Sequence, residues 1–309
     1  MRAPVILLSL LLLSAPSPGQ DSNCPSRRQL ADHSSKRIYL AQDTLFFRTS
    51  NIELDIDGSP RAYGVRDQGT EDICNGLAPI SPPACKGKVR GACYAACQSA
   101  FRSWNGRPED LHRVMCSVGL GGGSCGRPQV RLQSAPRSDW FDSETSVHPA
   151  PPAGQPLRQW LSRQEGQLDS EAIPYFVIPG GFRSLPWDAT PGDLGVVVGP
   201  TGRTAFFLIG DTGGHLDEAS AAVLAALRGI ASLPTRAKRN AFGIQTQRLS
   251  GAAEGDFRVA IFRHTSRKAP GEPPVLTLAA GEIPQWIQQT ASTKLASIGG
   301  VETVRACSD

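Results

Sequence analysis

The apolar run Phe206-Phe207-Leu208-Ile209 leads into Gly210-Asp211-Thr212-Gly213-Gly214-His215-Leu216-Asp217-Glu218-Ala219-Ser220. This pattern predicts Asp211 at the end of a strand and Glu218 at the opening of a helix, with a glycine turn between them. Two carboxyl groups placed in that way can face one cleft. Glycosidic-bond hydrolysis needs such a pair, one group to protonate the leaving oxygen and one to act on the other face of the sugar. On spacing alone a plainer account is favoured, in which Asp211 satisfies turn amides and Glu218 sits at the positive end of a helix. The environments should pull the two apart. A place in the first helical turn lowers the proton affinity of Glu218, which suits a base. Partial desolvation behind Phe206–Ile209 raises that of Asp211, which suits an acid. Asp217, next to Glu218, pushes Glu218 the other way. Of the five histidines, only His215 falls inside this stretch.

A second acidic group lies in Glu53-Leu54-Asp55-Ile56-Asp57-Gly58. Ile52, Leu54 and Ile56 alternate with Glu53, Asp55 and Asp57, so the acids share one face of a strand. Like charges along a strand repel. A cationic ligand, a metal ion or plain solvation would offset them. Read as a calcium loop, Glu53, Asp55, Asp57 and Gly58 fit the opening positions, but the closing position is Gly64 where a glutamate is needed. Asp67, Glu71 and Asp72 extend the local negative charge against only Arg61 and Arg66.

Other chemistries find little support. No G-x-S-x-G nucleophile motif occurs, and the histidines form no spaced cluster. Cys93 and Cys97 are four apart, but no paired C-x2-C spacing accompanies them, so neither a metal nor another cofactor is expected. Trp187 suits packing better than sugar stacking. A formal charge of +4 over 309 residues is too mild to argue for nucleic acid.

Residues 1–20 read as a secretory signal peptide: Arg2, an apolar run Val5–Leu13 too short to span a bilayer, then small and turn-prone residues. An exported chain with eight cysteines is expected to form up to four disulfides, whose connectivity spacing does not determine. The expected product is a soluble, secreted or periplasmic monomer, free of the membrane once the signal is removed.

The elements that must position the acids are mainly strands. Strand-like patterns cover Arg37–Val65, Ile173–Pro179, Leu194–Val198, Ala205–Ile209 and Phe257–Phe262. Helices are expected at Pro156–Gln164, from Asp217 as N-cap to Gly229 as C-cap, and at Pro284–Leu295. Residues 79–153 differ: they hold five cysteines between proline-rich flanks and read as a disulfide-stapled insertion, with helices near Ala92–Trp104 and Asp110–Val118. The fold class is therefore mainly β with peripheral helices. The catalytic domain takes residues 21–78 and 154–309.

Four segments, in order, resemble glycoside hydrolase family 75, the chitosanases known from fungi and their bacterial relatives. They are Asp55-Ile56-Asp57-Gly58-Ser59-Pro60-Arg61-Ala62-Tyr63, then Tyr175–Pro179, then Gly192–Val198, then Gly210-Asp211-Thr212-Gly213 with Glu218-Ala219-Ser220. The resemblance covers roughly residues 45–77 and 170–295. It implies a six-stranded double-psi β-barrel-like domain and an inverting endo-hydrolase of β-1,4-linked glucosamine polymer, with Asp211 and Glu218 as the essential carboxylates. Asp55, Asp57, Tyr63, His215 and Asp217 become candidate polysaccharide-binding residues. Asp55 and Asp57 would hold protonated amines, or one of them would supply the base. The chain departs from the family at Asp217, where relatives carry glycine, at Gly64-Val65, where many bacterial relatives carry His-Pro, and in the cysteine-rich insertion. Two other readings stay open: a carbohydrate-binding or wall-interaction protein without turnover, and a hydrolase of another β-1,4 glycan such as peptidoglycan.

Overall fold

A computed structural model describes residues 24, 26–64, 99, 104, 105, 107, 110, 133, 134, 140–233, 252–269, 271 and 273–309. The signal segment, Asp67, Glu71, Asp72 and six of the cysteines (Cys74, Cys85, Cys93, Cys97, Cys116 and Cys125) lie outside these residues, as do most of the two helices expected between 92 and 118.

Eight strands form one sheet: β1 (Arg28–Gln29), β2 (Ile38–Ala41), β3 (Thr44–Asp55), β4 (Tyr175–Pro179), β5 (Leu194–Val198), β6 (Thr204–Gly213), β7 (Glu218–Ser220) and β8 (Ala253–Phe262). Their order is β1-β2-β3-β7-β4-β6-β5-β8, and β3 also pairs with β8, which closes β3, β7, β4, β6, β5 and β8 into a six-stranded barrel. Closure removes the free edges that an open sheet would leave. The pairs β3–β7 and β4–β6 are parallel, and the other barrel pairs are antiparallel.

Side-chain alternation sorts each strand into two cores. Phe47, Phe176, Val197, Phe207, Ile209, Val259 and Ile261 cluster together with Val223, Leu224 and Leu227 of α2 (Ala221–Arg228). The opposite faces, among them Tyr175, Val177, Val196, Leu208 and Ala260, pack with Ile283, Trp286, Ile287 and Ala291 of α3 (Ile283–Ser297) and with Val304 of α4 (Gly300–Ser308). Because both faces are covered, β4 and β5 are buried at every position. That is why each reads as an unbroken apolar run rather than an alternating one.

Two expectations change at the ends of elements. The helix over 156–164 shrinks to α1 (Leu157–Leu161) followed by a short 3-10 turn at Gln164–Gly166. The helix expected to start at Asp217 begins at Ala221 instead, with Ser220 as its N-cap and Gly229 closing it in the left-handed conformation. Ser220 Oγ accepts from Val223 N at 3.4 Å and from Tyr175 N at 2.9 Å, so the cap also ties α2 to β4. Asp217 is displaced from the cap because residues 218–220 are captured as a strand by β3.

Cys24 and Cys307 form a disulfide across a sequence separation of 283 residues, fastening the N-terminal segment to α4. Among the described residues no helix is long and apolar enough to cross a membrane. Cross-linking such distant positions restricts the unfolded chain, so a Cys24→Ala/Cys307→Ala double variant should lose about 2–4 kcal/mol in denaturant unfolding. An unchanged midpoint would mean that the barrel does not rely on this link.

Candidate functional site

The acidic residues of β3, β6 and β7 meet at one end of the barrel. Parallel pairing sets Glu53 beside Glu218 and Asp55 beside Ser220. On β6 the register with β4 slips, with Phe176 opposite Ile209 but Val177 opposite Asp211. Gly210 is the extra residue of this bulge. A bulge re-aims the side chain that follows it, and here it turns Asp211 off the face that carries Phe207 and Ile209. Gly210 must be glycine, because a Cβ there would lie 2.5 Å from Tyr175 Cβ.

Past β3 the chain folds back on itself. Asp57 N donates to Asp55 Oδ1 at 2.8 Å. Gly58 turns with φ +76°, and a Cβ at that position would lie 2.0 Å from the Leu168 carbonyl oxygen. Gln164 pins this turn from behind: its Nε2 donates to the carbonyls of Gly58 and Ser143, and its Oε1 accepts from Ser143 N. A cavity of about 350 Å³ behind the pinned turn is lined by Pro60, Gln133, Gln164 and Gln167 among others, and none of the clustered carboxylates faces it.

Hydroxyl and amide donors hold two of the carboxylates. Asp57 Oδ1 accepts from Tyr63 Oη and from Ser143 Oγ, each at 2.9 Å. Asp211 Oδ1 accepts from Ser146 N at 2.9 Å, from Ser146 Oγ at 2.5 Å and from Thr212 N at 2.7 Å. Tyr175 Oη donates to the carbonyl of Asp57 at 2.8 Å, and Ser170 Oγ to that of Asp55 at 2.6 Å.

The electrostatics follow from burial and crowding. Desolvation pushes Asp211 up to about 7, against the donors of Ser146 and Thr212, with the charge of Asp57 adding to the rise. Asp55 is raised well above the usual carboxylate range by burial, then by the charges of Asp57 and Asp211. Asp57 is also raised by burial, while Ser143 and Tyr63 hold it down. Tyr175, sealed beneath the acids, is raised well above its ordinary value by burial and then by Asp55 and Asp57. Several buried carboxyls beside one another, opposed only in part where His215 acts on Glu218, make a site that favours protons or another cation.

The expected residues are brought together, with changes of role. Glu218 lies on a strand, not in a first helical turn, and its proton affinity is raised, not lowered: burial dominates, the neighbouring His215 opposes it, and Glu53, Asp217 and Asp57 add to the rise. Asp211 is raised, in the direction its apolar approach implies. Tyr63 serves as a partner of Asp57, and His215 is exposed beside Glu218. Asp217 is engaged by Lys36, whose Nζ lies 2.8 Å from Asp217 Oδ2, so that carboxylate is neutralised within the protein. Trp187 stacks on Phe182 with ring centroids 4.9 Å apart and touches His33, a packing role.

Ser143 and Ser146 hydrogen-bond two of the clustered carboxylates from a segment that composition assigns to the insertion. Composition extends the insertion to residue 153, yet residues 140–150 pack on the barrel side: Val147 N donates to the Gly210 carbonyl, and Phe141 N to that of Tyr63. Burial of Phe141, Ser143, Thr145 and Val147, alternating with more open Asp142, Glu144 and Ser146, is the period-two trace that marks the segment as a wall of the site. No family model matches this chain, and no curated protein aligns with it as a relative.

Two outcomes follow from this geometry. Native Asp211 keeps its proton to about 7, whereas the unfolded chain releases it near 4, so the native state binds more protons between those values and loses stability as pH rises through them. Asp211→Asn should therefore gain on the order of 2–4 kcal/mol relative to wild type between pH 4 and pH 8 in urea unfolding. A stability difference that does not vary with pH would contradict the buried-carboxyl account. Gly58→Ala should lose about 1–3 kcal/mol or more, because the left-handed turn and the Leu168 carbonyl leave no room for a methyl group. Wild-type stability in that variant would show that the turn is not constrained as described.

Proposed function

We propose that this chain is a secreted, endo-acting glycoside hydrolase that cleaves β-1,4-linked glucosamine polymer with inversion at the anomeric carbon, and that Asp211 is its general acid. The observation that carries the reading is Asp211 itself. It is a carboxyl group on a bulged strand end, held by Ser146 and Thr212 and raised to about 7, which retains a proton where most carboxyls have lost theirs. Such a group can protonate a leaving oxygen at neutral pH. The order of the four family-75-like segments supports Asp211 as one of the essential carboxylates.

The crowded acids also bear on substrate choice. An ammonium group entering between Asp55, Asp57 and Glu218 offsets the repulsion that raises all three. A neutral glucan offers no such compensation. The polysaccharide is thus a cationic one, drawn in by local rather than net charge, since the whole chain is formally +4. Export follows from the signal-like first 20 residues and is supported by the Cys24–Cys307 disulfide, a bond that persists in oxidising compartments.

Reducing-end assays on chitosan, chitin, cellulose and peptidoglycan should give the highest rate on chitosan, with the α-anomer as first product by proton NMR. The rate should fall as pH rises above about 7, where Asp211 ionises. Asp211→Asn should lose at least about a hundredfold in kcat while staying folded, and Glu218→Gln should lose most of its activity. No turnover of any glycan by wild type would leave a binding protein, and a faster rate on peptidoglycan would replace the substrate.

A further inference from the structure

We propose that Asp57, rather than Glu218, is the base that takes the proton from the attacking water. This rests on the hydrolase reading above and adds a third carboxylate to it.

A general base must be held in place and must keep one oxygen for water. Asp57 meets both needs. Its backbone is fixed at both polar atoms, the N–H by Asp55 Oδ1 and the carbonyl by Tyr175 Oη. Both hydroxyl donors fall on the same carboxylate oxygen, Oδ1. Ser143 Oγ accepts from Gly58 N at 3.0 Å, so its single proton is directed to Asp57. The donors come from two chain segments, one running on from β3 and one from the 140–147 wall, so the carboxylate is clamped from two sides. Oδ2 takes no hydrogen bond among the described residues.

Glu218 lacks these supports. Among the described residues no amide or side chain donates to its carboxylate. Its Oε2 lies 3.1 Å from where a Cβ on Gly213 would sit, beside exposed His215 at an open part of the site. An unheld carboxylate in that setting suits an ammonium group of the polymer. Asp57 is also close enough to act on both of the others, since its charge adds to the rise of Asp211 and of Glu218. Two hydroxyl donors oppose the rise that burial gives Asp57, and its charge helps Asp211 to keep its proton, which separates base from acid.

The step balances. Water oxygen attacks the anomeric carbon as the bond to the glycosidic oxygen breaks. Asp57 Oδ2 takes a proton from the water, and the Asp211 carboxyl gives its proton to the leaving oxygen. Asp57 ends protonated and Asp211 ionised, and exchange with solvent resets both.

The test uses a β-configured glucosamine-oligomer fluoride, whose leaving group needs no acid. Asp211→Asn should keep most of its rate on the fluoride while failing on chitosan. Asp57→Asn should lose at least about a hundredfold in kcat on both substrates. Azide should restore fluoride turnover to Asp57→Ala, with the α-glycosyl azide as product. Glu218→Gln should act mainly through a raised KM. A measurement that spares Asp57 itself is the pH profile of Tyr63→Phe: with one donor gone, the acid limb of kcat/KM should move to higher pH. Fluoride hydrolysis by Asp57→Asn at the wild-type rate, azide rescue of Glu218→Ala in place of Asp57→Ala, or an unmoved acid limb in Tyr63→Phe would each overturn the assignment. Wild type inactive on every glycan would instead refute the hydrolase reading itself.

Discussion

The twelve residues of β3 carry pairings that no other strand duplicates. Its first part pairs with β2 on one side and β8 on the other, and its last three residues pair with β7 in parallel. The barrel closes only because this strand bridges β8 and β7. The same bridge draws Glu53 and Asp55 alongside Glu218 and Ser220. Closure of the barrel and assembly of the acidic site are one event, and the site inherits the rigidity of the barrel.

That assembly works against the electrostatics. Asp55, Asp211 and Glu218 are raised by burial and by the charges of neighbouring acids, Asp57 among them, and Asp57 itself by burial and by Glu144, so each prefers its protonated form more than it would in water. The fold tolerates them by anchoring: Tyr63 and Ser143 on Asp57, Ser146 and Thr212 on Asp211, Ser170 and Tyr175 on the carbonyls of the Asp55–Asp57 turn. Functional sites commonly hold such unrelieved terms, which a bound cationic group or a passing proton relieves.

The parts of this arrangement that were legible in the sequence are those that local patterning decides. β4 and β5 are legible because they are buried on both faces, and the Gly229 cap because it needs a left-handed residue. The acidic face of β3 and the strand leading to Asp211 are visible for the same reason. What the sequence hides is decided at long range. Residues 218–220 form a strand only because β3 lies beside them, which moves the helix cap from Asp217 to Ser220 and reverses the environment of Glu218. Ser143 and Ser146 reach the acids from a segment whose cysteine-rich neighbours set it apart in composition. Lys36 finds Asp217 across 181 residues, and no local rule predicts that pair.

The account stands on a carboxyl group at Asp211 that keeps its proton near neutrality because the barrel end desolvates it. Carbon-13 NMR of aspartate-labelled protein, titrated with pH, reads that directly. The account predicts one aspartate carboxyl signal titrating near 7 in wild type and missing in Asp211→Asn. If the signal that Asp211→Asn removes titrates near the ordinary value of about 4, the central claim is wrong.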